Sequence, residues 1–127
     1  MRHFNADILA AARENTDFRR VLATGDHSQI VVMTIEPDSE IGEEVHGHVD
    51  QVLVFVAGEG EAVIDGESGP VRPGHLTYVP AGTRHNFINK GDTPLKLYTV
   101  YAPPEHEPGT VHHTKAEADA AEAEHHA

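Results

Sequence analysis

The sequence predicts an all-β fold, a jelly-roll barrel with a short helix before it and a polar tail behind it. Three observations carry this expectation. Short runs rich in Val, Ile, Leu, Thr and Tyr recur between residues 18 and 101. Gly, Pro and Asp-Gly signals separate these runs at short intervals, as short-stranded β proteins require. Apolar residues at helical spacing stand out only near the start, at Ile8, Leu9 and Ala12.

The elements follow in order. Asn5 to Glu14 reads as a short helix, capped by Asn5 or Asp7. Phe18 to Ala23 reads as an edge strand, and Gln29 to Ile35 as a strand with a continuous Ile-Val-Val-Met run. Pro37-Asp38-Ser39 is a turn, and Ile41 to His48 is expected to be a strand. Gln51 to Ala57 is the most apolar strand, and Gly58-Glu59-Gly60 turns it into Glu61 to Ile64. Asp65-Gly66 is a hairpin turn of the kind that twisted strands favour. Leu76 to Val79, Arg84 to Ile88 and Leu95 to Tyr101 complete a set that suits a jelly roll. Residues 103–108 then form a stiff, polar, Pro-rich linker, and Thr114 onward is Ala, Glu and Asp with little apolar content. The expected division is therefore a barrel unit over residues 1–102 and a linker with an acidic, His-containing tail over 103–127.

Composition bounds the function. A chain of 127 residues suits one domain, and 39% hydrophobic residues with four Phe, three Tyr and no Trp suffice for one barrel core. Without cysteine there is no disulfide, thiolate metal site or thiol catalysis. A formal charge of −12 argues against nucleic acid and anionic membranes as partners. No apolar run is long enough to span a membrane. Met1 to Ala12 carries Arg2 and Asp7 and lacks the apolar stretch of a signal peptide, so a cytoplasmic location is expected.

The chemistry concentrates in two segments. In Val45-His46-Gly47-His48-Val49-Asp50-Gln51, His46 and His48 stand two apart, so in a strand both imidazoles face one side. Neutral imidazole is the commonest ligand for divalent transition metals. Strict alternation places Asp50 on that same side, whereas a bulge after His48 brings Gln51 inward instead. Both remain open. In the second segment, Pro80-Ala81-Gly82-Thr83 reads as a tight turn that delivers His85 to the start of a strand, where a third ligand would stand.

These residues resemble the cupin superfamily, in particular its small single-domain members with the type-2 conserved barrel. Gly74, Pro80, Gly82, His85 and Asn89 match the second cupin motif, G-x5-P-x-G-x2-H-x3-N, at every position. Gly42, His46, His48 and Gly58 match the first motif, with a slightly short gap after Gly42. Counting back from Gly58 across six intervening residues gives Gln51, where most cupins carry Glu, and its spacing from His48 is one residue shorter than usual. The resemblance covers about residues 30 to 101. It implies a double-stranded β-helix barrel holding iron, manganese, nickel, zinc or copper through His46, His48, Gln51 and His85. It also implies a homodimer paired through the sheets, with Phe18 to Ala23 and Gln29 to Ile35 as the pairing strands. Cupins with such a site include dioxygenases and enzymes that open or isomerise sugar-acid rings. The expected function is thus a metal-dependent enzyme on a small oxygenated molecule. A non-catalytic metal- or small-ligand-binding module and a metal-free scaffold are the alternatives.

The remaining residues have plainer expected roles. Glu43, Glu44 and Asp50 are the candidate catalytic acids or bases. Phe55, Phe87 and Tyr78 are expected in the core, and only one of Tyr98 and Tyr101 can face inward. Arg84 is expected to pair with a surface carboxylate, and Asn89 to serve its turn. His27 and His75 are expected at the surface. Of the five histidines after the barrel, His106, His112, His113, His125 and His126, the last four are expected to be solvated tail residues, with a place over the barrel edge as the alternative for His112 and His113.

Overall fold

Alternating side chains build the barrel wall. Along Leu95–Ala102 every second residue, from Leu95 through Tyr101, is buried, and the residues between are half-exposed. The computed structural model describes residues 3–126, with side chains up to residue 123; Met1, Arg2 and the side chains of His125 and His126 lie outside the described residues. The elements are α1 (Ile8–Glu14), β1 (Arg19–Thr24), β2 (Gln29–Ile35), β3 (Asp50–Ala57), β4 (Gly60–Ile64), β5 (Glu67–Val71), β6 (Leu76–Val79), β7 (His85–Asn89), β8 (Leu95–Ala102), β9 (Val111–His112) and α2 (Lys115–His126).

The strands form two antiparallel sheets. One has six strands in the order β6-β3-β8-β2-β1-β9, and the other has three in the order β5-β4-β7. Their inner faces meet over Leu53, Phe55, Phe87, Leu95 and Leu97, all fully buried. The Phe55 and Phe87 rings sit 5.6 Å apart in a tilted pair. Burying one such side chain contributes about 1.5–3 kcal/mol, so this layer dominates the cohesion of the two sheets. Tyr101 is the inward tyrosine, and Tyr98 packs on the opposite face. Tyr78, expected in the core, is instead 53% exposed, because β6 is the edge of its sheet and Val79 takes the inward position.

Local signals explain most of the turns. Asp65 and Gly66 both have positive φ, 51° and 84°, as a two-residue hairpin between β4 and β5 requires. β5 was not expected: its Glu-Ser-Gly-Pro-Val sequence lacks strand character, and Pro70 is tolerated because β5 is an edge strand. Asn89 holds its turn by donating from Nδ2 to the carbonyls of Ile35 and Thr93, while its Oδ1 accepts from the Gly91 amide.

Helix α1 begins at Asp7, whose Oδ1 accepts from the Ala10 amide at 3.0 Å. It lays Ala12 and Ile8 against Val32, Val56, Leu22 and Tyr98 on the outer face of the large sheet. The strands expected to pair with a second copy therefore carry α1 over part of that face. Among the described residues no helix is long and apolar enough to cross a membrane.

The chain beyond the barrel returns to it. β9 pairs with β1, Arg19 opposite His112 and Arg20 opposite Val111, so Phe18 to Ala23 is not the free edge that the sequence suggests. The Gln29 amide, 1% exposed, clamps the incoming backbone: its Nε2 donates to the His106 carbonyl and its Oε1 accepts from the amides of Glu105 and His106. His113 reaches the Asp17 carboxylate at 2.7 Å, and Ala118 of α2 joins the barrel core.

Candidate metal centre

The barrel mouth brings Glu44, His46 and His85 together, with one ligand atom from each lying within 4.8 Å of the others. Backbone pairing explains how. Glu44 and His85 exchange hydrogen bonds of 2.8 and 2.9 Å across an isolated bridge, so their side chains share a face. His46 lies two residues beyond Glu44, and its carbonyl accepts from the Gly82 amide at 2.7 Å, which ties it to the turn before His85.

This corrects the strand expected over Ile41 to His48. Among the described residues the segment forms no continuous ladder, its one bridge being Glu44 with His85, and the chain turns at Gly47-His48. The turn ends the alternation on which the His46–His48 pair rests. Glu44 and His46 share the site, and His48 is exposed in the turn, away from the cluster.

The other candidates also have definite places. The pleat of β3 turns Gln51, Leu53 and Phe55 inward and leaves Gln51 2% exposed. Gln51 stands opposite Tyr101 in the ladder, and the Tyr101 ring meets His46 edge-on at 6.1 Å. Its Nε2 donates to Thr99 Oγ1, whose hydroxyl donates to the Val52 carbonyl. Asp50 has the opposite parity, and its carboxylate accepts from the Ala81 amide at 2.9 Å. Glu43 is exposed and pairs with Arg84 at 2.5 Å, the surface carboxylate expected for that arginine.

The atoms fit a cation. His46 Nε2, His85 Nε2 and Gln51 Oε1 are buried without a hydrogen-bond partner, each a cost of about 1–3 kcal/mol if nothing fills the role. The two imidazoles are also oriented as ligands require. His85 Nδ1 donates to the Thr83 carbonyl at 2.9 Å, which leaves the Nε2 lone pair free. His46 Nδ1 faces the Glu105 carboxylate at 3.4 Å, and its Nε2 lies 3.5 Å from Glu44 Oε2.

Electrostatics divide the three groups. Burial holds His85 below the usual histidine pKa and disfavours its charged form. The Glu105 carboxylate, against desolvation, raises His46, and burial raises Glu44. An imidazole must be unprotonated at the nitrogen that binds a metal, so metal affinity rises with pH.

A cavity of about 800 Å³ opens beside this cluster. It is lined by the barrel residues Arg19, Glu44 and His46 and by Glu105, His106 and His112 from the returning chain. Glu105, Arg19 and His106 have no place in either motif, and no local pattern marks them. Only the packing of residues 103–122 onto β1 brings them in.

His106 gives this packing a pH dependence. Burial, with the nearby Arg19 charge, pushes its pKa from 6.5 down to about 3. Between those values the unfolded chain binds a proton that the folded chain refuses. The contribution of His106 is complete above pH 6.5 and is lost as pH falls toward 3, by at most about 1.4 kcal/mol per pH unit. In urea melts from pH 7 to pH 4, a His106→Gln variant is expected to lose stability less steeply than the wild type. Parallel curves would show that the ring is not buried neutral.

Fold and site together define a small double-stranded β-helix protein with a two-histidine, one-carboxylate cluster at its mouth. The chain belongs to the cupin domain family, whose pattern matches residues 31–101. It is similar to the uncharacterized protein YrkC of Bacillus subtilis, with 44% identity over 125 residues, covering 94% of this chain and 67% of YrkC. A protein of the Acanthamoeba polyphaga mimivirus is 36% identical over 103 residues, covering 77% of this chain and 64% of that protein. The chain thus spans about two thirds of the length of these two relatives. The crystal structure of BH2720 from Bacillus halodurans superposes with a TM-score of 0.92 at 42% identity, covering 94% of this chain and 95% of that one.

Proposed function

We propose that the protein is a metal-dependent enzyme acting on a small oxygenated molecule, of the dioxygenase or sugar-acid isomerase type. The observation that carries this reading is the pair of buried, unpartnered imidazole nitrogens beside the Glu44 carboxylate. A divalent iron, manganese, nickel, zinc or copper ion would be held by His46, His85 and Glu44, with the Gln51 amide oxygen as the fourth donor. Two imidazoles and one carboxylate are the donor set of non-haem iron oxygenases, and also of catalytic zinc sites. When bound, the ion polarises a carbonyl or hydroxyl oxygen, and a redox-active ion also activates dioxygen.

The chain's own residues do the rest. Thr83 fixes the His85 ring through its Nδ1 proton, and Glu105 holds the Nδ1 side of His46. The Glu44 carboxylate balances one of two positive charges, which a set of three imidazoles and a neutral amide would not. The returning segment contributes part of the cavity lining, and the cavity is of a size for small molecules.

The test uses the full chain, stripped of metal and reloaded anaerobically with ferrous iron. Oxygen uptake and proton–deuterium exchange are followed with panels of vicinal diols, hydroxyketones, hydroxy acids and sugar acids. Metal-dependent turnover of one class, absent in His46→Ala, is the expected result. Tight metal binding with neither uptake nor exchange across all classes would favour a non-catalytic binding module.

A further inference from the structure

We propose that the cavity beside the cluster binds the carboxylate of a small monoanionic acid, with Arg19 as its anchor. This rests on the metal-enzyme reading above and names the charge class of its substrate.

Arg19 is an unusual wall residue. It is only 7% exposed, yet it lines the cavity, and its Nε is buried without a hydrogen-bond partner. A guanidinium cannot escape desolvation by losing its proton. A buried one therefore needs an anion or a full set of acceptors. The groups named against it are neutral. Nη1 donates to His112 Nδ1 at 3.2 Å, the Tyr101 hydroxyl interacts with the group, and the Phe18 ring lies 5.2 Å beneath its central carbon. These contacts fix the plane of the fork and leave its Nε edge unanswered. His106, within reach of the Arg19 charge, adds a second buried, unpartnered nitrogen, Nε2, to the cavity lining.

Charge selects the ligand. Glu44 and Glu105 are the carboxylates whose charges reach Arg19, and both are committed to the cluster, Glu44 beside His46 Nε2 and Glu105 beside Nδ1. Lys115 is paired with Asp119 at 2.9 Å. With a dication in place, Arg19 and the ion carry three positive charges against these two negative ones. The unanswered edge of Arg19 calls for an anion. Glu43, Glu107 and Glu122 add acidic groups to the lining, and the Glu122 charge reaches Glu44, which disfavours phosphates and dicarboxylates. A monocarboxylate with a neighbouring hydroxyl or keto oxygen meets both demands: its carboxylate takes the Arg19 fork, and its second oxygen faces the cluster.

The experiment titrates glycolate and lactate calorimetrically into zinc-loaded protein, with ethylene glycol and malonate as neutral and dianionic controls. Zinc content is measured on the same samples. Glycolate or lactate is expected to bind at least tenfold more tightly than either control. Arg19→Met is expected to weaken this at least thirtyfold with zinc content unchanged. Arg19→Lys, which keeps the charge and loses the fork, is expected to lie between, and it decides the matter if Arg19→Met does not fold. Unchanged carboxylate affinity in the folded variant, or equal affinity for ethylene glycol, overturns the proposal. Repeating the titration after chelation separates the two readings. Arg19-dependent binding by a protein that never holds zinc would sink the metal reading and keep the anion site. Stoichiometric zinc without Arg19-dependent binding would do the reverse.

Discussion

His46→Ala and His85→Ala are each expected to reduce bound metal from about one ion per chain to below about a tenth of that, because each variant removes one of the few donors the ion has. The measurement is elemental analysis after identical loading and gel filtration. Both residues present a buried Nε2 without a hydrogen-bond partner, and each ring is oriented through its other nitrogen. A ligand at a hundred times its dissociation constant stabilises the fold by about 2.7 kcal/mol. Added metal should therefore raise the wild-type melting temperature and leave both variants unmoved. His48→Ala is the informative control. His48 is exposed in the Gly47-His48 turn and apart from the cluster, so the variant is expected to keep its metal. Equal loss in all three variants would show that the ion draws the turn inward to use His48. Full retention in His46→Ala would end the assignment of this site.

Gly58→Ala is expected to cost about 3 kcal/mol, lowering the melting temperature by roughly 10 °C. Two penalties add. The backbone at Gly58 has φ +83°, where a side chain adds about 1–2 kcal/mol. A Cβ there would also stand 2.4 Å from the Pro94 carbonyl oxygen and 2.9 Å from the Leu95 Cα. Both obstacles are backbone, so no rotamer change relieves them, and Leu95 belongs to the fully buried core. Urea unfolding of the variant should show a lower midpoint at an unchanged slope. A loss below about 1 kcal/mol would mean that the turn between β3 and β4 relaxes freely.

Gly58 also shows what was legible in the sequence. Its place in the first cupin motif is read directly, but the reason for it, the close pass of residues 94–95, lies in another strand. Strands with apolar runs or clear alternation were legible with little error, Gln29–Ile35 and Leu76–Val79 among them. β5 was not, since Pro70 and Gly69 carry turn signals and its pairing with β4 comes from the Asp65-Gly66 hairpin. At the site, His85 was legible from its turn, and the parity of Gln51 became clear once β3 had a register. Glu44 was noted only as a possible acid or base. The turn that moves the alternation from the 46–48 pair to the 44–46 pair depends on the bridge to His85, forty-one residues away in sequence. Arg19, Glu105 and His106 carried no signal, because a lone charge far from any motif looks like solvated surface until the chain folds back over it.

That return has a consequence for the order of events during synthesis. Arg19 leaves the ribosome early, and its strand partner His112 follows ninety-three residues later. Contacts of such separation close late. The large sheet can form through β8 while Arg19 still faces water, fully hydrated and harmless. Only when residues 105–122 arrive is the guanidinium dehydrated and the cavity given the rest of its lining. The Glu44, His46 and His85 cluster can thus assemble before the cavity beside it is closed, and any selectivity of that cavity is acquired after the cluster.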